Sequence, residues 1–189
     1  MAPASTNRQE ELIDGVALIF LRRGFRNFTL AELADELHCS KTTLYTLGHS
    51  KEALVRNALI HYFQGAGETI EARTAAAADP SARLTAYIRA IAEVMRPASG
   101  RFFEDLAAHP DVRDLYGRNQ QIAGERLAKL ISDGVESGAF RPVDATFVAD
   151  LIAAETIRIQ AGEVDSAASL DYDGAHEALA ELVLGGISA

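Results

Sequence analysis

The chain has 189 residues, 48% of them apolar and 24% charged, with 18 basic and 27 acidic side chains for a formal net charge of −9. That composition is ordinary for a soluble globular protein long enough to bury a core, as one large domain or two small ones. It excludes a membrane-spanning helix, because no run of about 18 uncharged apolar residues occurs, and an internal disulfide, because Cys39 is the sole cysteine.

In chain order the apolar periodicity is helical almost throughout, and no stretch alternates long enough to argue for a strand. The opening MAPASTNRQEEL turns polar and acidic at once and lacks a secretory apolar region. Together with the single cysteine this predicts a reducing, cytoplasmic location. Thr6-x-x-Gln9 has capping-box spacing, and Leu12, Ile13, Val16 and Phe20 share one face before Gly24 stops the first helix. Thr29-x-x-Glu32 is a second capping box. It opens a short helix that turns Leu30, Leu33, Ala34 and Leu37 inward. His38 stands where a helix favours a left-handed residue after its end. Ser40 caps a third helix, and Ser50 a fourth that runs at least through Phe63.

Beyond residue 62 the punctuation comes from Asp79-Pro80, Arg96-Pro97, Ser99-Gly100, His109-Pro110, Ser137 to Pro142 and Gly162 to Gly174. Helices are predicted between these at roughly 81–95, 101–108, 111–136, 144–161 and 172–185. The last two are apolar on more than one face. Phe147, Val148, Leu151, Ile152, Ile157 and Ile159 crowd one; Leu179, Leu182, Val183, Leu184 and Ile187 crowd the other. A helix apolar around most of its circumference needs cover on both sides, which a homodimer interface supplies.

The fold class is therefore all-α, with residues 1–62 as a helix-turn-helix domain and 63–189 as a helical ligand-binding and dimerisation domain. Charge divides with the same boundary. Residues 1–62 hold seven basic and seven acidic side chains, whereas 63–189 hold eleven basic and twenty acidic.

Two short capped helices joined at His38-Cys39-Ser40 form a helix-turn-helix frame, whose second helix presents Lys41, Thr42, Thr43 and Tyr45 near its start. That inventory suits DNA. A recognition helix points its N-terminal end into the major groove, where Lys reaches guanine O6 and N7 and Thr meets a base edge or a thymine methyl. Tyrosine hydroxyls, lysines and helix N-terminal amides are phosphate donors. Lys51 follows the Ser50 cap, at the positive end of a helix where the dipole disfavours a cation. A bound phosphate would explain it.

The run from Thr29 to Tyr45, LAELADELHCSKTTL between them, followed by Ser50-Lys-Glu-Ala-Leu54, resembles the DNA-binding domain of the tetracycline-repressor (TetR) family. Ile13-Asp-Gly-Val-Ala-Leu-Ile-Phe20 and Arg23-Gly-Phe25 are similar to that family's first helix and turn. The resemblance covers about residues 8–60. It implies a homodimeric, ligand-released repressor that binds a palindromic operator and pairs through its last two helices. Residue by residue it implies that Thr29 caps its helix and contacts phosphate, that Ser40 caps the reading helix, that Lys41, Thr42 and Thr43 face the groove, and that Tyr45 and Lys51 grip the backbone.

The sequence departs from the family at three points. His38-Cys39 replaces the usual Gly-Val, with Cys39 as a small buried hydrophobe. Where the family has Tyr-x-x-Phe, whose phenylalanine fills the gap between the third and fourth helices, this chain reads Tyr45-Thr-Leu-Gly48. Leu47 is expected to fill that gap, with Gly48 ending the helix.

Effector contacts are expected from Tyr87, Met95, Phe102, Phe103, Tyr116 and Glu155, aromatic, apolar and acidic groups suited to a mostly apolar cavity. Gly65 and Gly67 are expected to interrupt and soften helix 4, each costing about 1 kcal/mol against alanine. His109-Pro110-Asp111 lacks a preceding basic helix and reads as a loop. No Gly-x-Ser-x-Gly, phosphate-binding loop, dinucleotide glycines or metal-spaced His/Cys/Asp cluster occurs, so neither enzyme nor cofactor nor metal is expected. The expected partners are double-stranded DNA, a small-molecule effector and a second copy of the chain. The rival reading is a helical ligand-binding or protein-interaction module that no longer reads DNA, a reading Gly48 keeps open.

Overall fold

Among the residues that the computed structural model describes, 4–164 and 170–189, the regular structure is helical: α1 Ala4–Arg23, α2 Leu30–Glu36, α3 Lys41–Tyr45, α4 Lys51–Ala76, α5 Pro80–Met95, α6 Gly100–Ala108, α7 Pro110–Glu136, α8 Ala145–Gln160 and α9 Tyr172–Ile187. Short polar side chains start most of them. Thr29, Ser40, Asp79, Ser99, Asp144 and Asp171 each accept a hydrogen bond from a first-turn amide, satisfying donors the helix itself leaves open. Ser50 does the same for α4, accepting from Ala53 N at 3.1 Å. A lone antiparallel bridge, Phe140 to Ser188, ties the end of the chain to the loop after α7.

The chain divides into two compact units, Met1–Ala66 with Pro97–Leu115, and Gly67–Arg96 with Tyr116–Ala189. In unit 1, α1 packs on α6, and Phe20, Phe25, Leu44, Leu54, Leu59 and Phe102 are buried. These units divide the chain after Ala66, not after residue 62, and Pro97–Leu115 belongs with the N-terminal helices. Unit 2 packs α5, α8 and α9 on one another around a core that includes Leu84, Ile88, Ile131, Ile152, Leu179 and Val183. The last two helices divide their apolar residues as their sequence suggests. Ile152, Ile159, Leu179, Val183 and Ile187 are buried, whereas Phe147, Leu151, Ile157 and Leu182 are exposed, Leu182 by 74%.

Three local expectations are corrected. The first helix is already running at Ala4, so Thr6 lies inside it rather than at its start. Gly65 and Gly67 do not interrupt α4, which continues unbroken to Ala76. Once neighbouring turns are formed and packed, a cost near 1 kcal/mol per glycine is too small to break a helix of this length. The third helix ends at the Thr46 cap, before Gly48. Part of the Gly162 to Gly174 punctuation lies outside the described residues.

Candidate nucleic-acid interface

The candidate site is assembled from four local structures in unit 1. Thr29 forms a complete capping box: its hydroxyl accepts from Glu32 N at 3.2 Å, and its own amide donates to Glu32 Oε2 at 2.8 Å. These bonds, from the Thr29 backbone first and then its hydroxyl, hold the exposed Glu32 carboxyl below the usual glutamate range. After α2, His38 adopts φ +49°, the left-handed turn its position predicts, and Cys39 N closes the turn on Ala34 O at 2.9 Å. Cys39 is half-buried, and burial raises its thiol pKa.

Ser40 then opens α3. Its Oγ accepts from Thr43 N at 3.0 Å and shares a 2.8 Å hydrogen bond with Thr43 Oγ1. Thr43 is therefore half-buried and engaged in the cap, while Lys41 and Thr42 are exposed and Tyr45 is 44% exposed. Leu44 turns inward from the same helix and is fully buried. A five-residue helix thus has one buried anchor and an outward polar face at its N-terminal end.

The family departure at Gly48 lies in the α3–α4 junction. Leu47 is buried at 9% exposure, and Asn57 Nδ2, on α4, donates to its carbonyl at 2.8 Å. Gly48 sits against the first turn of α4. A Cβ there would lie 2.6 Å from Leu54 Cα and 2.8 Å from Ala53 C, and closer still to Leu54 N. Glycine is needed at 48 for close approach of two backbones.

Lys51 is half-buried. Its ammonium lies 4.3 Å from the centre of the Phe28 ring and donates to Arg26 O at 3.3 Å. Its cation is thus offset by a ring face and a carbonyl, with donors to spare for an anion.

The six residues expected to bind an effector do not come together in one unit. Phe102 is fully buried in unit 1, its ring 6.0 Å from that of Phe25, and Phe103 adjoins it at 5.4 Å. Tyr87, Met95, Tyr116 and Glu155 belong to unit 2. Tyr87 donates to Ala123 O at 2.9 Å, and burial raises its phenol pKa well above the usual range. Tyr116 donates to Gln160 Oε1 at 3.3 Å, and burial pushes its pKa up to about 12. Met95 is buried. Glu155 pairs with Arg158 at 2.9 Å along the surface of α8. Sequence reasoning missed the buried polar residues Asp105, Thr156, Gln160 and His176. For Asp105 and Gln160 no local signal exists, because their partners Phe25, Arg26 and Tyr116 come from distant parts of the chain.

No family model matches the chain. Among curated proteins it is similar to the uncharacterized HTH-type transcriptional regulator YfiR of Bacillus subtilis (strain 168), at 22% identity over 142 residues, 72% of this chain and 69% of the relative. A solved structure of a TetR-family transcriptional regulator from Cytophaga hutchinsonii superposes with a TM-score of 0.76 at 19% identity, covering 100% of this chain and 98% of that one. The fold is that of the TetR family. The structure of AibR in complex with isovaleryl coenzyme A and operator DNA also superposes, with a TM-score of 0.66 and 21% identity over 96% of this chain and 98% of its own. Among the described residues no helix is long and apolar enough to cross a membrane.

Proposed function

We propose that the chain is a TetR-type transcriptional regulator that binds a palindromic operator as a homodimer in the cytoplasm and is released by a small-molecule effector. The observation that carries this reading is the Ser40-capped α3, with Lys41 and Thr42 exposed at its N-terminal end and Tyr45 exposed one turn later. Thr29 and Lys51 flank that helix as backbone contacts. Side chains at the start of a recognition helix reach base edges, and the flanking donors fix its register on phosphates. The likeness in fold to AibR, solved with operator DNA and a coenzyme A thioester, supports both the DNA and the effector. The exposed Phe147, Leu151, Ile157 and Leu182 on α8 and α9 support pairing through those helices, because a second copy would cover them. Buried and half-buried polar groups in unit 2, Gln160 with Tyr116 among them, are candidates to orient an effector. The acidic remainder of the chain opposes non-specific DNA binding, while the locally placed donors retain specific contacts.

The rival reading rests on Gly48, and the burial of Leu47 beside it supports the DNA-binding reading instead. A mobility shift on the intergenic DNA upstream of the protein's own gene tests the proposal. A discrete complex that resists excess unrelated duplex is expected. Binding no tighter to this DNA than to unrelated duplex would return the chain to the rival class.

A further inference from the structure

The segment Pro97–Leu115 belongs to unit 1, and its contacts there are specific. Ser99 N donates to Leu21 O at 2.8 Å, near the end of α1. Asp105, on α6 and only 7% exposed, accepts two consecutive backbone amides on one carboxylate oxygen: Phe25 N at 2.6 Å and Arg26 N at 2.9 Å. The turn is shaped to admit it. Gly24 has φ +79°, and a Cβ there would collide with that same Asp105 oxygen and come within 3.0 Å of Arg101 Cγ. His109 closes the other side, with Nδ1 bonded to Asp105 O at 2.9 Å and its ring 5.3 Å from that of Phe25.

Arg26 is thereby held at both ends of its backbone. Its amide donates to Asp105, and its carbonyl accepts from Lys51 at 3.3 Å. Phe28, two residues on, carries the Lys51 ammonium on its ring, and Thr29 follows as the cap of α2. We propose that Asp105 is a positioning residue for DNA binding, its carboxylate fixing the Gly24–Phe28 turn on which Lys51 and Thr29 are aligned. The proposal rests on the DNA-binding reading. The chemistry favours an acceptor there: the Phe25 amide is buried beside Phe102 and must be paired, the adjacent Arg26 amide is part-buried, and one charged oxygen serves both at short distance. The turn lies roughly 80 residues from its acceptor in sequence, so the reading helices depend on a segment outside their own stretch of chain.

The test uses the full chain with D105A and D105N, and as probe a duplex enriched from a random-sequence pool by the wild-type protein. Asparagine keeps one oxygen able to accept both amides, so D105N should bind within about threefold of wild type, whereas D105A should lose about tenfold or more. K51A should weaken the wild type but cost little further in D105A, because the lysine is already misaligned. Without DNA, the amide proton resonances of Phe25 and Arg26 should move upfield in D105N and further in D105A. Unmoved resonances in either variant, D105A binding as tightly as wild type, or full additivity with K51A would each overturn the proposal. If D105A does not fold, D105N decides: its two resonances must shift while its binding is retained. If the wild type enriches no duplex, the DNA-binding reading fails and the positioning role falls with it, whereas the resonances still report whether the carboxylate holds the turn.

Discussion

Gly48→Ala is the sharpest test of how α3 and α4 are joined. The added methyl has no side-chain tip to displace. Its near neighbours are Leu54 N, Leu54 Cα at 2.6 Å and Ala53 C at 2.8 Å, all main-chain atoms of α4's first turn. Relief requires that turn to move off Ser50, whose Oγ holds Ala53 N at 3.1 Å, or that the buried Leu47 shift. Overpacking against backbone typically costs about 1–3 kcal/mol, and disturbing a cap adds about 1 kcal/mol. A loss of about 2–4 kcal/mol corresponds to about 4–16 °C in Tm for a chain of this size. Thermal unfolding followed by circular dichroism measures it, with DNA binding measured alongside. Gly65→Ala and Gly67→Ala provide the contrast, since a Cβ at either position meets nothing within 4 Å and each should stabilise α4 by about 0.5–1 kcal/mol. A Gly48→Ala protein melting within about a degree of wild type would refute the close-approach account.

Lys51→Ala should weaken operator binding and reduce the slope of log affinity against log salt by about one, as loss of one phosphate contact requires; anisotropy titrations across salt concentrations check it, and an unchanged slope would leave Lys51 as a packing residue only. His176 gives a pH prediction for unit 2. It is 2% exposed, its Nδ1 donates to Tyr172 O at 2.8 Å, and Nε2 has no partner among the described residues. Burial lowers its pKa below the ordinary histidine value, with nearby Arg96 adding to that and Asp173 opposing it. A lowered folded-state pKa means the unfolded chain takes up the proton first, so stability is unaffected above about pH 6.5 and falls as pH drops below it. Urea midpoints at about pH 7.5 and about pH 5 should differ more for wild type than for His176→Leu.

The helices were legible because their signals are local. Thr29, Ser40, Asp79 and Ser99 announce starts, and the 3.6-residue apolar stripe carries each helix to its stop. The exposure of Lys41, Thr42 and Tyr45 was legible for the same reason, since a cap at Ser40 with Leu44 turned inward leaves them outside, whereas Thr43 is half-buried and bonded to the cap. What the sequence could not display is tertiary. Phe102 sits on an apolar stripe that would suit either unit, and only its packing on Phe25 assigns it to the first. Asp105 in the sequence is one acidic residue among many, because its two amide partners lie roughly 80 residues away. Gly48 read as a helix stop because glycine usually signals conformation, but here it signals proximity to α4. Lys51 was read as gripping phosphate, and the Phe28 ring beneath it is a contact between α4 and the turn before α2 that periodicity does not reveal.

The central claim is that α3 reads DNA. Selection of duplexes from a random-sequence pool by the wild-type protein, by Lys41→Ala and by Thr42→Ala tests it most directly. The account predicts that the wild type enriches a two-fold symmetric site with half-sites about one helical turn, or 34 Å, apart, and that each variant relaxes the preference at its own base positions, by about 1–3 kcal/mol per lost contact. Identical enriched sequences from all three proteins, or none from the wild type, would contradict it.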